Sequence, residues 1–156
     1  MKKFKFQLET LRKVTKMKKE QAEVAFAEAS NLLREQQMTM VRLKQEMEQG
    51  LLDYNRLTEG TRINVGTLMT YNSFFSWKRE QMELQDQAIL QSKAQKAKRL
   101  KELAEISNKL KAIEQLRQKR FFEFQQQQLM EEQKELDEIG LQLYTRAARQ
   151  EGKIKK

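Results

Sequence analysis

Residues 58–67 read TEGTRINVGT, and this stretch decides the fold. It holds two glycines, an asparagine and several β-branched residues, all of which are poor helix formers. On either side the chain is almost free of helix breakers, since it has no proline and only Gly50 and Gly140 interrupt the long flanking segments. Neither of these two glycines is explained by the sequence pattern. The predicted elements, in a single domain, are a helix over 4–57, a turn over 58–67, a helix over 68–149 and a basic tail over 150–156. Thr67 or Thr70 is the expected cap of the second helix.

Apolar residues recur at alternating steps of three and four along both predicted helices, which is the spacing of a coiled-coil seam. The first pattern slips once near Gln36, and the second weakens from Gln85 to Lys96. The first seam comprises Leu8, Leu11, Thr15, Lys18, Ala22, Ala25, Ala29, Leu32, Gln36, Met40, Leu43, Met47, Leu51 and Tyr54. The second comprises Leu103, Ile106, Leu110 and Ile113, then, one residue out of phase, Leu129, Glu132, Leu136, Ile139 and Leu143. A seam this narrow predicts an all-α fold, a long antiparallel two-helix coiled-coil hairpin, and neither a globular bundle nor a disordered chain.

The expected position of the turn also predicts which residues face each other. With the turn centred near Ile63 and Asn64, residue i of the first helix faces roughly residue 127 − i of the second. Phe4 and Phe6 then lie near three phenylalanines, Phe121, Phe122 and Phe124. Residues beyond about 126 form a C-terminal helical overhang that still carries an apolar stripe. Such a stripe costs solubility unless something covers it, so it indicates a binding surface.

The composition excludes most kinds of catalytic site. The 156 residues include no His and no Cys, so zinc sites built on these ligands, disulfides, thiol nucleophiles and imidazole bases are absent. Ser/Thr–Lys pairs and carboxylates remain, but none has a recognisable setting for catalysis. We therefore expect no enzymatic activity and no cofactor or metal. No stretch approaches 18 apolar residues and no signal peptide is evident, so we expect a cytoplasmic protein.

The net charge of +9 is concentrated in three segments. Residues 1–20 carry +6, residues 93–120 carry +7 and residues 144–156 carry +4, which leaves −8 for the rest of the chain. In the predicted hairpin the first two segments lie side by side. A basic end of this kind suits nucleic acid, an anionic membrane or an acidic protein cavity, or it acts only as a solvated face. Nucleic acid is not expected as a partner, because no aromatic residues interleave with the cations on one face.

Aromatic residues are also dense just after the turn. Tyr71, Phe74, Phe75 and Trp77 point in several directions around a helix, so a two-helix seam cannot cover all of them. Part of the group is expected to close the hairpin with Tyr54 as a small core. The remainder is expected to be exposed, as in protein-binding hot spots.

Three motifs resemble the flagellar export protein FliJ family and the related stalk proteins of type III secretion. The opening Phe4-x-Phe6-x-Leu8-Glu9-Thr10-Leu11-Arg12 is similar to the start of that family, and Tyr71-x-x-Phe74 is similar to the start of its second helix. Glu132-Gln133-Lys134-Glu135-Leu136-Asp137-Glu138-Ile139 is close to its motif near the C-terminus. The chain departs from the family in two places. The centre of the second helix carries no matching motif, and Lys78, Gln81 and Gln85 stand where the family has a more apolar stripe.

The resemblance implies a stalk and adaptor without enzymatic activity. Its expected partners are the hexameric export ATPase, whose pore the terminal end would enter, the ATPase regulator, the cytoplasmic domain of the export gate, and export chaperones. It also implies a monomer at the inner membrane at the base of the flagellum. The residues expected to contact the ATPase are Phe4, Phe6, Leu8, Leu11, Arg12, Lys13, Lys16, Glu132, Gln133, Leu136, Asp137, Ile139, Arg146 and Arg149. Those expected to contact the export gate are Tyr54, Tyr71, Phe74 and Trp77.

Two other hypotheses are compatible with the sequence. A coiled coil that binds polyanions would bind unrelated nucleic acids or anionic membranes with a steep salt dependence. A self-assembling structural coiled coil would form a homodimer without folding back at the turn. The physical pattern also does not distinguish flagellar from virulence-type secretion.

Overall fold

A computed structural model describes residues 2–60 and 62–155. Its two elements are α1 (Glu9–Thr58) and α2 (Val65–Ile154), and no strand occurs among the described residues. The predicted all-α fold, with two long helices packed against each other, is confirmed. Contacts divide the chain into a unit Lys16–Asn108 and a terminal unit formed by residues up to Thr15 and from Lys109 onward. Each unit is described by itself.

The helix boundaries differ from the predicted ones. The first helix starts at Glu9 and not at residue 4, because the alternating Lys and Phe of residues 2–6 form an extended segment in which the two phenylalanines are half-buried and the lysines exposed. The second helix begins at Val65, capped by the Asn64 side chain, which accepts a hydrogen bond of 3.0 Å from the Gly66 amide, and not by Thr67 or Thr70. It also continues through most of the predicted tail to Ile154, since no proline stops it. Met1, Thr61 of the predicted turn and Lys156 of the predicted tail lie outside the described residues.

The seam of the Lys16–Asn108 unit is continuous on both helices, with strictly alternating steps of three and four. The slip predicted near Gln36 is wrong, because the buried neighbour is Leu33, at 8% exposure, and not Leu32, at 45%. Likewise Gly50 is buried where Leu51 was predicted. The seam residues on α1 are Lys19, Ala22, Phe26, Ala29, Leu33, Gln36, Met40, Leu43, Met47, Gly50 and Tyr54. Those on α2 are Leu68, Tyr71, Phe75, Lys78, Met82, Gln85, Ile89, Ser92, Lys96, Arg99, Leu103 and Ile106.

Polar pairs across this seam show how the two helices face each other. Lys78 forms an ion pair with Glu46, and the Gln85 amide donates to the backbone carbonyl of Gln36 at 2.7 Å. The rule that i faces 127 − i therefore places the partner three to six residues too far along α2. The reason is that α2 starts earlier than predicted, which shortens the turn and moves its centre toward the N-terminus. Because a buried polar side chain needs its partner, such pairs favour a single register.

In the terminal unit, residues 2–6 form an extended strap along α2. The Phe4 ring lies 5.3 Å from that of Phe121 and 5.6 Å from that of Phe124, centroid to centroid, which confirms the predicted contact for these three rings. Phe6 is half-buried, and Phe122 is 60% exposed. The Lys2 ammonium lies 3.2 Å from a carboxylate oxygen of Glu131. An extended chain advances about 3.3 Å per residue and a helix about 1.5 Å, so the strap reaches further along α2 than a helix of the same length would.

Candidate functional site

The end of α2 carries an exposed apolar stripe. Every described residue from 129 to 155 has an exposed side chain, and Leu129, Leu136 and Leu143 are 58%, 63% and 60% exposed. They are spaced by seven residues and therefore lie on one face of the helix. The strap contacts Phe121, Phe124 and Glu131. It buries none of the described residues from 129 to 155, so the stripe is open to a partner.

The residues predicted to contact the ATPase fall into two groups, one in and beside the strap and one on the exposed end of α2. Phe4 and Phe6 are half-buried in the strap, and Leu8, Leu11 and Lys13 are exposed. The set on the exposed helix is Glu132, Gln133, Leu136, Asp137, Ile139, Arg146 and Arg149. Lys16 belongs to the other unit. Most residues of the predicted ATPase set are therefore exposed, but they lie in two separate places along the chain.

Arg12 differs from the other cations of the predicted set, because it is held by a neighbouring carboxylate. Its guanidinium lies 2.7 Å from Glu9, in the first turn of α1, and Arg117 of α2 approaches the same carboxylate at 3.7 Å. The hydrogen bond from Arg12 lowers the pKa of Glu9, and the same bond raises the pKa of Arg12. Arg12 thus has a local structural role, whereas Lys13 and Lys16 present exposed charges.

The second candidate surface is the aromatic cluster near the turn, within the Lys16–Asn108 unit. Phe75 is buried, at 6% exposure, and its ring lies 5.8 Å from that of Tyr54 and 5.7 Å from that of Phe74. Tyr54 and Tyr71 are also in contact, with ring centroids 5.9 Å apart. Trp77, in contrast, is 52% exposed. The structure therefore brings Tyr54, Tyr71 and Phe74 together around a small core on Phe75, and Trp77 lies at its exposed edge.

Gly50 explains how the Phe74 ring comes to lie against α1. A Cβ atom at this position would lie 2.6 Å from Cε1 of Phe74 and 3.2 Å from Cε1 of Phe75, too close for any side chain without movement. The missing side chain leaves an open groove of about 480 Å³, here called the Phe74 groove. Its lining residues are Glu46, Gln49, Gly50, Asp53, Thr70, Tyr71 and Phe74. Sequence reasoning missed this groove because it treated the glycine only as a helix breaker.

A buried lysine lies beside the Phe74 ring. Lys78 is only 4% exposed, and its ammonium lies 5.6 Å from the ring centroid of Phe74 and 5.0 Å from that of Trp77. It donates a hydrogen bond to Glu46, and this bond lowers the pKa of Glu46. The aromatic rings and the carboxylate together compensate a charge that would otherwise be costly to bury. Lys78 stands where a more apolar residue was expected, so this compensation replaces apolar packing at the seam.

Among residues 2–60 and 62–155 no cluster of three or more Asp and Glu side chains is placed to hold a metal ion. In the same residues, no helix has the length and apolar character needed to span a bilayer.

Comparison with known proteins gives one match. A family model described as "Flagellar FliJ protein" matches residues 4–149, which include all of α1 and most of α2. The comparisons with curated proteins and with solved structures gave no significant match. The matched region includes residues 4–6 of the strap, the whole aromatic cluster and the exposed apolar stripe.

Proposed function

The chain belongs to the flagellar FliJ family, and from this membership we propose that it is a non-enzymatic stalk and adaptor of the flagellar protein export apparatus. In this role its terminal unit enters the pore of the hexameric export ATPase. The aromatic cluster contacts the cytoplasmic domain of the export gate, and other regions contact the ATPase regulator and the export chaperones. We place the protein in the cytoplasm, as a monomer, at the base of the flagellum.

The observation that carries the ATPase part is the exposed apolar stripe of Leu129, Leu136 and Leu143. A lone helix with three exposed leucines on one face is rarely left uncovered in a soluble protein. Arg146 and Arg149 follow it closely along the same helix, so a complementary cavity would combine an apolar wall with acidic residues. A ring pore of that character is the partner that the stripe fits best.

The proposed mechanism follows from symmetry. A single helix inside a ring of six equal subunits contacts them unequally, so it favours some conformations of the nucleotide sites over others. The chain needs no nucleotide site for this effect, and no Gly-rich phosphate loop occurs in the sequence. The expected effect is a change in the rate of ATP hydrolysis or in ring assembly.

The test compares Leu136→Glu with Leu90→Glu in a binding and ATP hydrolysis assay with the cognate hexamer. The two leucines are 63% and 65% exposed, so neither change should disturb folding, but only Leu136 lies on the stripe. Leu136→Glu should weaken binding about tenfold or more, whereas Leu90→Glu should bind like the wild type. Equal affinities for both variants, or binding without any effect on assembly or hydrolysis, would refute the stalk hypothesis.

The electrostatic part needs its own variant. Lys13→Glu with Lys16→Glu should weaken ATPase binding and make it less sensitive to salt, because exposed charges are screened. Arg12 is left unchanged, since its removal would also disrupt the contact with Glu9. An unchanged affinity and salt dependence would mean that these cations take no part.

A further inference from the structure

The two flanks of the seam in the Lys16–Asn108 unit differ in character. On one flank lie Arg79, Asp86 and Lys93 of α2, all charged and exposed. The other flank carries Phe74, and beside it the exposed Trp77 and Leu84, at 52% and 65%. Trp77 and Leu84 are seven residues apart, so they point in nearly the same direction about 10 Å apart along α2. This second flank is here called the aromatic flank.

The aromatic flank holds a second groove besides the Phe74 groove. This Leu84 groove has a volume of about 290 Å³. Its lining residues are Thr39, Arg42, Leu43, Gln81, Leu84 and Gln85. Both grooves run between the same two helices, and Thr39, Glu46 and Asp53 follow at seven-residue spacing along their α1 edge. Of the residues that line the two grooves, Tyr71 and Phe74 alone belong to the surface predicted from the sequence.

The dimensions of the aromatic flank fit a helix. From Arg42 at one groove to Asp53 at the other is eleven residues of α1, or about 16 Å. A partner helix of about three turns would span this distance, with apolar side chains one, two and three turns apart entering the two grooves. Coiled coils of more than two strands form in the same way, because a helix with a seven-residue repeat can pack along two others.

The charges at the two grooves indicate what this helix should carry. Asp53 borders the Phe74 groove, and Arg42, 68% exposed at its side chain, borders the Leu84 groove. Glu46, between them, already pairs with Lys78 and lies 3.8 Å from Arg42. The partner helix should therefore have a cationic side chain near its Phe74 end and an acidic one near its Leu84 end. The exposed Trp77 between the grooves supplies the kind of large aromatic anchor that dominates binding energy.

We propose that the aromatic flank, including the Leu84 groove, binds an amphipathic α-helix that packs against α1 and α2 as a third strand of the coiled coil. The inference rests on the proposed function in one respect, since it assigns this helix to the cytoplasmic domain of the export gate. It adds to that function the form of the partner, its charge pattern and a second groove.

The experiment measures the affinity of the full chain for the purified cytoplasmic domain of the cognate export gate. Leu84→Glu should weaken binding about tenfold or more, and Leu90→Glu, equally exposed at 65% on the other flank, should not. Leu84→Glu should leave ATPase binding intact, just as Leu136→Glu should leave gate binding intact. If Phe74→Ala abolishes gate binding but Leu84→Glu does not, the gate contact stands and the second groove is refuted. If neither variant matters, both the gate contact and this inference fail.

Two further measurements test the helical form of the partner. Hydrogen exchange of the gate domain in the complex should show new protection over a continuous segment of about three helical turns or more. Protection confined to a short loop would overturn the helix. Sedimentation of the chain alone should show a monomer, and self-association that Leu84→Glu abolishes would mean that the flank is covered by a second copy instead.

Discussion

Replacing Gly50 with alanine should destabilise the pairing of α1 and α2 in the Lys16–Asn108 unit, although alanine is the better helix former. In an isolated helix the change would be favourable by about 1 kcal/mol. In the folded chain the new Cβ would lie 2.6 Å from Cε1 of Phe74 and 3.2 Å from Cε1 of Phe75. Phe75 is buried and cannot easily move away, so a backbone shift or a rotation of Phe74 must follow.

The magnitude follows from two opposing terms. Overpacking a well-packed contact costs about 1–3 kcal/mol, against about 1 kcal/mol gained from helix propensity. The net destabilisation should therefore be up to about 2 kcal/mol. Gly140 provides a matched control, because a Cβ there meets no atom within 4 Å. Gly140→Ala should gain the propensity term alone, so the two variants should differ by about 1–3 kcal/mol.

The assay is thermal and urea unfolding followed by far-UV circular dichroism, with the emission of Trp77, the single tryptophan, as a local probe of the Lys16–Asn108 unit. For a chain of this size each kcal/mol corresponds to about 2–4 °C in Tm. Phe74→Leu combined with Gly50→Ala should recover part of the loss, because the closest clashing atom is removed. If Gly50→Ala stabilises the chain as much as Gly140→Ala does, the close approach of Phe74 to α1 is not a constraint and the reasoning is refuted.

Two further predictions concern the seam. Leu33→Ala should lower the free energy of unfolding by about 2–4 kcal/mol, because Leu33 is 8% exposed. Leu32→Ala should lower it by less than about 1 kcal/mol in the same assay, because Leu32 is 45% exposed. Similar losses for the two variants would support the seam predicted from the sequence. Glu46, whose pKa Lys78 holds below its ordinary value of 4.5, should contribute stability that is complete above that value and is lost as the pH falls through the lowered pKa. An acid titration of helicity should thus be less steep for Glu46→Gln than for the wild type, and identical titration curves would contradict the role of this pair.

Much of the fold was predictable because long-range pairing in a two-helix hairpin depends on one turn and one periodicity. The breaker cluster at 58–67 and the lack of breakers elsewhere were enough to predict two long helices. The boundaries are less predictable, since the helix that the sequence predicts from residue 4 includes part of the alternating Lys and Phe of residues 2–6. A period of two in that segment, where both phenylalanines fall on one side, was the available signal for an extended strap.

The errors in the seam have a common physical cause. At Leu32 and Leu33, and again at Gly50 and Leu51, two adjacent residues compete for one seam position, and the prediction favoured a leucine that proved exposed. From Leu8 to Gln36 the predicted seam already alternates strictly, but in the opposite phase, so that Lys18, Ala25 and Leu32 stand where the structure has Lys19, Phe26 and Leu33. Hydrophobicity alone does not identify the seam residues. Lys78 is charged and yet buried, because it pairs with Glu46 on the opposite helix and lies over the Trp77 ring.

The candidate surfaces were predictable in kind and not in detail. The exposed stripe on α2 follows from the excess length of the second helix, which the sequence shows directly. The Phe74 groove does not, because it depends on which ring faces which glycine, and this changes completely with a shift of a few residues in register. The Leu84 groove was missed for the same reason.

The register of the two helices therefore links stability to binding. Burying Lys78 costs free energy that an apolar residue at the same position would not, and such pairs are rarely stabilising on balance. In this chain the Glu46–Lys78 pair lies one helical turn from the contact between Gly50 and Phe74. Sliding α2 by one heptad would separate Lys78 from Glu46 and would place Phe74 opposite a residue with a side chain, either Leu43 or Leu57, instead of a glycine. The ion pair and the glycine thus disfavour the same shift, and Glu46 and Gly50 both line the Phe74 groove. The polar seam thus favours the register in which the Phe74 groove forms.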